Sequence, residues 1–286
     1  MPTDQRDRKT YVGSHDCAAI MGLSDRDDAL SVWRRKTGRL PETPDNPALI
    51  RGRRLEDTVL DWYAETYGAE IHRCGTIEHP TLPFMATTPD AALYVAGRCA
   101  YVVEAKTVGS AVASEFGAEG SDVVPAWYWA QAQAHMAVTG APVCDMPVLF
   151  GGYRFEFRCF RIIRNDEFIL RWFAVAESFW RDHVLADVAP RGWLPDSRDE
   201  WAKERWPRNT GPMLETDDPS VLAVVERFRE ADLAYDRASA EYDDAEADLI
   251  ELIGSAEGIR TPDFTVTYRA SKKGVRSLKP SWRAEK

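Results

Sequence analysis

The sequence predicts an α/β fold, a central mixed β-sheet flanked by helices, followed by a long C-terminal helix and a short β-strand with a basic tail. Three observations carry that reading. Strand-like runs such as "DAALYV" and "CAYVVEAKT" lie between segments of helical periodicity. The order is helices, strands, helix, strands, helix, which suits a sheet covered by helices. Beyond a stretch rich in Pro and Trp, apolar residues recur at alternating spacings of three and four.

Residues 13–38 read as two helices. In "GSHDCAAIMG" Ser14 is the expected N-cap with Asp16 behind it, and "DDALSVWRRKTG" stops at Gly38. "ALIRGRRLEDTVLDWYAETYG" reads as a helix with Leu55, Val59, Trp62, Tyr63 and Tyr67 on its apolar side and Gly68 as its stop. The segments "EIHRCGTIEH", "PFMATT", "DAALYV" and "CAYVVEAKT" read as strands. A helix opened by Pro125 follows, and then two strands around the glycines at 151–152, expected as a hairpin. A helix over about 166–186 closes this unit. The expected organisation is a first domain over 1–190, a linker or wrap over 191–217, and a C-terminal part over 218–286. In that last part Val221, Val224, Phe228, Ala231, Tyr235, Ala238, Tyr242, Ala245, Leu249 and Leu252 form an unbroken heptad seam. The seam is expected to pack on the first domain or a neighbouring helix. Self-association or docking of a partner is the alternative.

Hydrophobic residues make up 44% of the chain, so most of it is expected to be globular. No apolar run is long enough for a transmembrane helix, and the charged start argues against a signal peptide. A cytoplasmic protein without a membrane partner is expected. Five scattered cysteines without a CxxC pair read as free thiols. The net charge of −10 argues at first against a nucleic-acid partner. It is unevenly spread, however. Residues 213–258 carry 14 acids and 3 arginines, while 269–286 carry 7 bases and 1 acid. The total therefore does not exclude a locally basic groove.

The chemistry-bearing stretch is "TTPDAALYVAGRCAYVVEAKT". A hairpin turning at Gly97 pairs positions equidistant from it, and Asp90 and Glu104 both lie seven residues away. Facing residues of that kind hold their Cβ atoms about 5 Å apart. Strand parity adds Lys106 to the same face and turns Val103 and Ala105 to the other. Two close carboxylates repel unless one is protonated or a cation joins them. A hard divalent ion is the natural cation, and a lysine beside it can position water. An exposed salt-bridge cluster is the bland alternative. The apolar flanks and the preceding Pro89 weigh against it.

Here the sequence resembles a known family. "TPD" followed by "EAK" is similar to the PD-(D/E)XK nuclease motif. "YVGSHDCAAIMGLS", "VWRRKTG", "RGRRLEDTVLDWY", "PFMATTPD", "VVEAKT" and "WYWAQAQAHMAVTG" occur in the order seen in phage lambda-type exonucleases, most closely the YqaJ-like viral recombinase nucleases. The resemblance covers about residues 8–185 and implies a restriction-endonuclease-like core. It implies that Asp90, Glu104, Glu56 and the backbone carbonyl of Ala105 bind one or two Mg²⁺ or Mn²⁺ ions. It implies that Lys106 positions the attacking water and that Gln131 contacts the reactive centre, with Tyr128 one turn earlier on the same face. Gln133 and His135 read as ordinary helix residues. Ser14, with Arg8, is implied in gripping a 5′-phosphate, and Arg51, Arg53 and Arg54 in contacting DNA phosphates. Arg34, Arg35 and Lys36 are further phosphate candidates. One departure stands out: Pro80 occupies a position where some lambda-type enzymes carry an extra acid.

The function expected from this resemblance is a metal-dependent DNA exonuclease working 5′→3′ on duplex ends. It would leave a 3′ single strand for a phage-type single-strand annealing protein, and a homo-oligomer, with a trimeric ring as one form, would give processivity. An endonuclease with the same chemistry and a non-catalytic DNA-end or partner-binding module are the alternatives.

Overall fold

A computed structural model describes residues 6–40, 46–109, 112–151, 155–192, 194, 201–203, 205–208, 211–262, 264–271 and 274–282. It divides into two compact units, residues 1–209 and 210–286, so the break falls inside the stretch expected to link the domains.

The first unit is built on a mixed sheet. Strands β1 (His72–Arg73), β4 (Ala91–Val95) and β5 (Arg98–Val103) pair antiparallel in that order. β5 then pairs in parallel with β7 (Val143–Gly151), whose other edge carries antiparallel β8 (Glu156–Ile163). β6 (Lys106–Gly109) also pairs in parallel with β7. Val102 pairs with Cys144 and Lys106 with Val148, so β5 and β6 keep one offset along β7. They are one strand line interrupted at Glu104 and Ala105. β2 (Ile77–Glu78) and β3 (Ala86–Thr87) form a small separate pair.

Among the described residues five α-helices flank the sheet: α1 (Ser14–Ile20), α2 (Ala29–Lys36), α3 (Pro47–Tyr67), α4 (Ala126–Thr139) and α5 (Asp166–Phe179). The main core joins α1, α2, α4 and α5 to one sheet face through Cys17, Leu30, Trp33, Ala130, Met146, Phe160 and Trp172. α3 lies against a smaller cluster of Leu60, Tyr63, Ala91, Val103 and Cys159. Its ends follow sequence rules. Asn46 caps Ala48 and Leu49, Pro47 opens the helix, and Gly68 closes it at φ 59°. Ser14 is not the N-cap of α1. Gly13 holds that place, and its N–H donates to Asp16 Oδ2 at 2.9 Å.

The second unit holds α6 (Pro219–Ile253) and an antiparallel sheet of β9 (Gly258–Arg260), β10 (Phe264–Ala270) and β11 (Arg276–Trp282). The basic tail is thus not simply an extension after one strand. Residues 276–282 of it form β11, and residues 272–273 and 283–286 lie outside the described residues. Among the described residues no helix is long and apolar enough to cross a membrane.

Candidate active site

The β4–β5 hairpin reaches the expected register by an unexpected route. Its turn is two residues, Ala96 and Gly97, both at positive φ (50° and 77°), as a primed hairpin turn requires. Val95 faces Arg98 and Tyr94 faces Cys99. That pairing alone would not set Asp90 against Glu104. A bulge between Leu93 and Tyr94 shifts the register, so Leu93 faces Tyr101 and Ala91 faces Val103. Asp90 and Glu104 then follow directly beyond the last pair. The strand line breaks there, and Asp90 Oδ2 accepts the Ala105 N–H at 2.8 Å.

Glu104 is the hub, at 3% exposure. Its Oε1 accepts from Lys106 Nζ at 2.7 Å and from Gln131 Nε2 at 2.6 Å. His135 Nε2 lies 3.1 Å from Oε2, an ion-pair distance, while Oε2 makes no hydrogen bond among the described residues. The ring of Tyr128 lies 5.2 Å from Lys106 Nζ, a cation–π contact. Thr87 Oγ1 and His135 Nδ1 are 2.7 Å apart, which fixes that ring. His15 Nδ1 is 3.1 Å from Gln131 Nε2.

Among the described residues, then, four elements converge: the β5/β6 break, the first turn of α1, β3 and one face of α4. His135 is not an ordinary helix residue, because it touches Glu104. Gln133 is one: it bonds the backbone of Ile163 and Asn165. The signal for His135 was available, since Gln131 and His135 are four apart and share a helix face. His15 had no such signal, because only the packing of α1 on α4 brings it here.

Charge and burial compete at the site. Burial pushes Glu104 up, but the Lys106 ammonium and His135 outweigh it and hold its carboxyl well below the usual range. Burial would lower Lys106, yet Glu104 and Asp90 raise it. Asp90 is pushed up to about 8, first by burial and then by repulsion from Glu104. Glu56 on α3 is also raised, by burial and then by Glu104, so it shares the same field. Desolvation draws His15 down to about 4, although the residue as a whole is exposed.

Glu56 is held in place by its helix. A side chain at Gly52 would touch Thr107 Oγ1, 3.8 Å from its Cβ position, so α3 passes close over β6. Tyr63, two turns beyond Glu56, donates its hydroxyl to Asp145 Oδ2 at 2.7 Å. Asp145 also accepts two bonds from Arg161 at 2.8 Å, and its carbonyl accepts the Glu104 N–H at 3.0 Å. One buried acid on β7 therefore ties α3, β8 and the Glu104 backbone together. Asp57 turns away to Arg73, at 2.7 Å.

Of the expected phosphate contacts, Arg51, Arg53, Arg54 and Arg8 are exposed, and the Arg8 charge acts on His15. Ser14 is buried at 3% exposure beside His15. Lys36 is engaged elsewhere: its Nζ lies 2.6 Å from Asp16 Oδ2 and donates to the Arg8 carbonyl. Arg35 pairs with Asp27 at 2.5 Å.

The donor set suits a hard divalent cation. A buried carboxylate oxygen on Glu104 lacks a hydrogen bond, and the neighbouring Asp90 is ionised only at a cost. Among the described residues no three His, Cys, Asp or Glu side chains form a group able to hold a metal.

Residues 5–142 match the YqaJ-like viral recombinase domain. The chain is 28% identical over 204 residues to the YqaJ protein of Bacillus subtilis (strain 168), covering 70% of this chain. It spans 61% of that relative's length. Similar solved structures include an alkaline exonuclease, LHK-Exo, from Laribacter hongkongensis, at 21% identity and TM-score 0.48, covering 63% of this chain and 90% of that one. A phage related exonuclease from Haemophilus somnus 129PT shares 15% identity at TM-score 0.44, covering 62% and 96%.

Proposed function

We propose that this YqaJ-like domain is a metal-dependent DNA exonuclease that hydrolyses phosphodiester bonds 5′→3′ from duplex ends. The observation that supports it most is the cluster of Asp90, Glu104, Lys106 and Gln131, joined through Glu104 and flanked by Glu56. A binding module has no need of a buried acid with a second, half-buried acid repelling it.

Asp90, Glu104, Glu56 and the Ala105 carbonyl would hold one or two Mg²⁺ or Mn²⁺ ions, with phosphate or water oxygens completing the shell. Such an ion, when bound, stabilises charge on the attacked phosphate and the leaving 3′-oxygen. Lys106, anchored to Glu104 and resting on Tyr128, would orient the attacking water. Gln131 would keep the Glu104 carboxylate turned toward the reacting atoms. Asp90 must shed its proton to become a ligand, so alkaline solution favours the loaded site.

Arg8 and the first turn of α1 would receive a 5′-phosphate, with Ser14 acting from its buried position through that turn. Arg51, Arg53 and Arg54 would contact duplex phosphates. The 3′ strand left behind would pass to a phage-type annealing protein in the cytoplasm of a bacterial host, and the nuclease unit would work as a homo-oligomer, a trimeric ring being the form that favours processivity.

Digestion of linear duplexes bearing 5′-phosphate or 5′-hydroxyl ends, beside closed circular DNA, with and without Mg²⁺, tests the reading. Mg²⁺-dependent loss of the 5′-phosphorylated linear duplex is expected. Cutting of closed circles would make it an endonuclease, and binding without cutting would leave only a DNA-end module.

A further inference from the structure

We propose that α6 is a self-association element that pairs antiparallel with α6 of a second copy of this chain. Most of the α6 seam is open: Val224 is 56% exposed, Phe228 72%, Tyr235 72% and Tyr242 61%, while Val221 and Leu249 are half-buried. Only Ile253, at the helix end, is buried. The seam is regular, and its size pattern has a symmetry of its own. It runs from Val221 to Leu252, so its centre lies between Tyr235 and Ala238.

Reversing the helix about that centre pairs each seam residue with another. Phe228 meets Ala245, Ala231 meets Tyr242, and Tyr235 meets Ala238. Every aromatic ring of the middle layers therefore faces an alanine, and aliphatic residues close both ends, Val221 on Leu252 and Val224 on Leu249. A two-fold contact requires this kind of reciprocity, in which residue i meets j and j meets i. A parallel, in-register pair would stack ring on ring and alanine on alanine, crowding some layers and leaving voids in others. Charge points the same way. The arginines of α6, Arg227, Arg229 and Arg237, lie toward its start, while 241–251 carries six acids and no base. Antiparallel pairing sets the acidic end of one copy beside the arginines of the other and lets Arg227 approach Asp248. Parallel pairing sets acid beside acid. A foreign surface would have no reason to match the pattern of this helix to itself.

Cross-linking in the full chain tests the orientation. In a Cys74→Ser background, one preparation carries Phe228→Cys and a second, differently tagged, carries Ala245→Cys. Mild oxidation of the mixture is expected to give a mixed-tag disulfide dimer. A dimer of Phe228→Cys with itself in place of the mixed one would overturn the orientation. Mass in solution tests the element itself. Ala238→Glu, which buries a charge at the two-fold centre, is expected to halve the mass of the assembly without changing the melting of the first unit. An unchanged mass, or a wild-type chain with no second copy bound at micromolar concentration, would overturn the proposal. Because neither readout uses DNA, failure here leaves the nuclease reading intact, and failure of that reading leaves this one intact.

Discussion

Two acid-rich regions of this chain differ in one physical respect. Glu104 is buried with Asp90 and Glu56 half-buried beside it, whereas α6 carries its acids on solvated faces. Buried charge must be matched by a partner, a proton or a cation, so each group at the Glu104 site is defined by its neighbours. Solvated charge is screened and its removal changes little. The same residue type is therefore expected to be indispensable in one region and dispensable in the other.

The largest effect is expected at the centre of the buried cluster. Lys106→Ala should lower Mg²⁺-dependent digestion of linear duplex by roughly 100-fold or more, since it removes the group that would hold the water. It also strips Glu104 of its ammonium, and breaking a buried pair costs about 3 kcal/mol. Melting the variant beside its nuclease assay separates the two losses. Full activity in Lys106→Ala or in Glu104→Gln would sink the site assignment. Lys106→Arg keeps the charge and should recover the stability.

Next in size is the proton on Asp90. Its pKa in the folded chain is raised from 3.8 to about 8. Between those values the folded state holds a proton that the unfolded state has released. Stability is therefore expected to fall as pH rises through that window when no metal is present. Adding Mg²⁺ should flatten the slope, because the ion binds the ionised form. Asp90→Asn should flatten it as well, with or without metal. Thermal melts at several pH values between 5 and 9 decide the point, and a wild-type slope equal to that of Asp90→Asn would show that Asp90 is not the strained group.

How much of this was legible in the sequence follows from how local each signal is. Strand parity alone placed Glu104 and Lys106 on one face, because a period of two needs no knowledge of the fold. The facing of Asp90 and Glu104 was legible too, but its cause was not. The two-residue turn and the bulge compensate each other, and a bulge leaves no mark in the residue types of "ALYVAGRCAY". Glu56 and Gln131 came from the resemblance, since an exposed-looking helix acid and a glutamine among alanines carry no signal by themselves. His15 and Lys36 were misjudged or missed because long-range packing decides them. Lys36 looked like a phosphate contact in a basic run, and the fold spends it on Asp16.

A smaller effect is expected at the brace beneath the site. Tyr63→Phe removes one hydrogen bond to Asp145 and should cost about 1 kcal/mol in urea unfolding. Asp145→Ala should cost more, because it also releases Arg161 and leaves the Tyr63 hydroxyl buried without an acceptor. Since α3 carries Glu56, either change is expected to weaken metal affinity measured by titration. An unchanged affinity in Asp145→Ala would mean that α3 holds Glu56 without this brace.

The smallest effect belongs to the solvated region. On α6, Arg229 pairs with Glu226 at 2.5 Å, with the two side chains 65% and 50% exposed. An ion pair of that kind, three residues apart on an open helix face, contributes about 0.5 kcal/mol or less. Arg229 also lies outside the heptad seam, so its loss leaves the pairing surface whole. Arg229→Ala is therefore expected to move the melting of the second unit by no more than that amount. Raising the salt about tenfold should erase even this difference, because exposed charges are screened within about a Debye length. The same increase in salt should leave the Lys106–Glu104 pair in place, since a pair with side chains 14% and 3% exposed is screened far less than an open one. A large, salt-resistant loss at Arg229 would break the contrast between the two regions and point to a partner covering that face of α6.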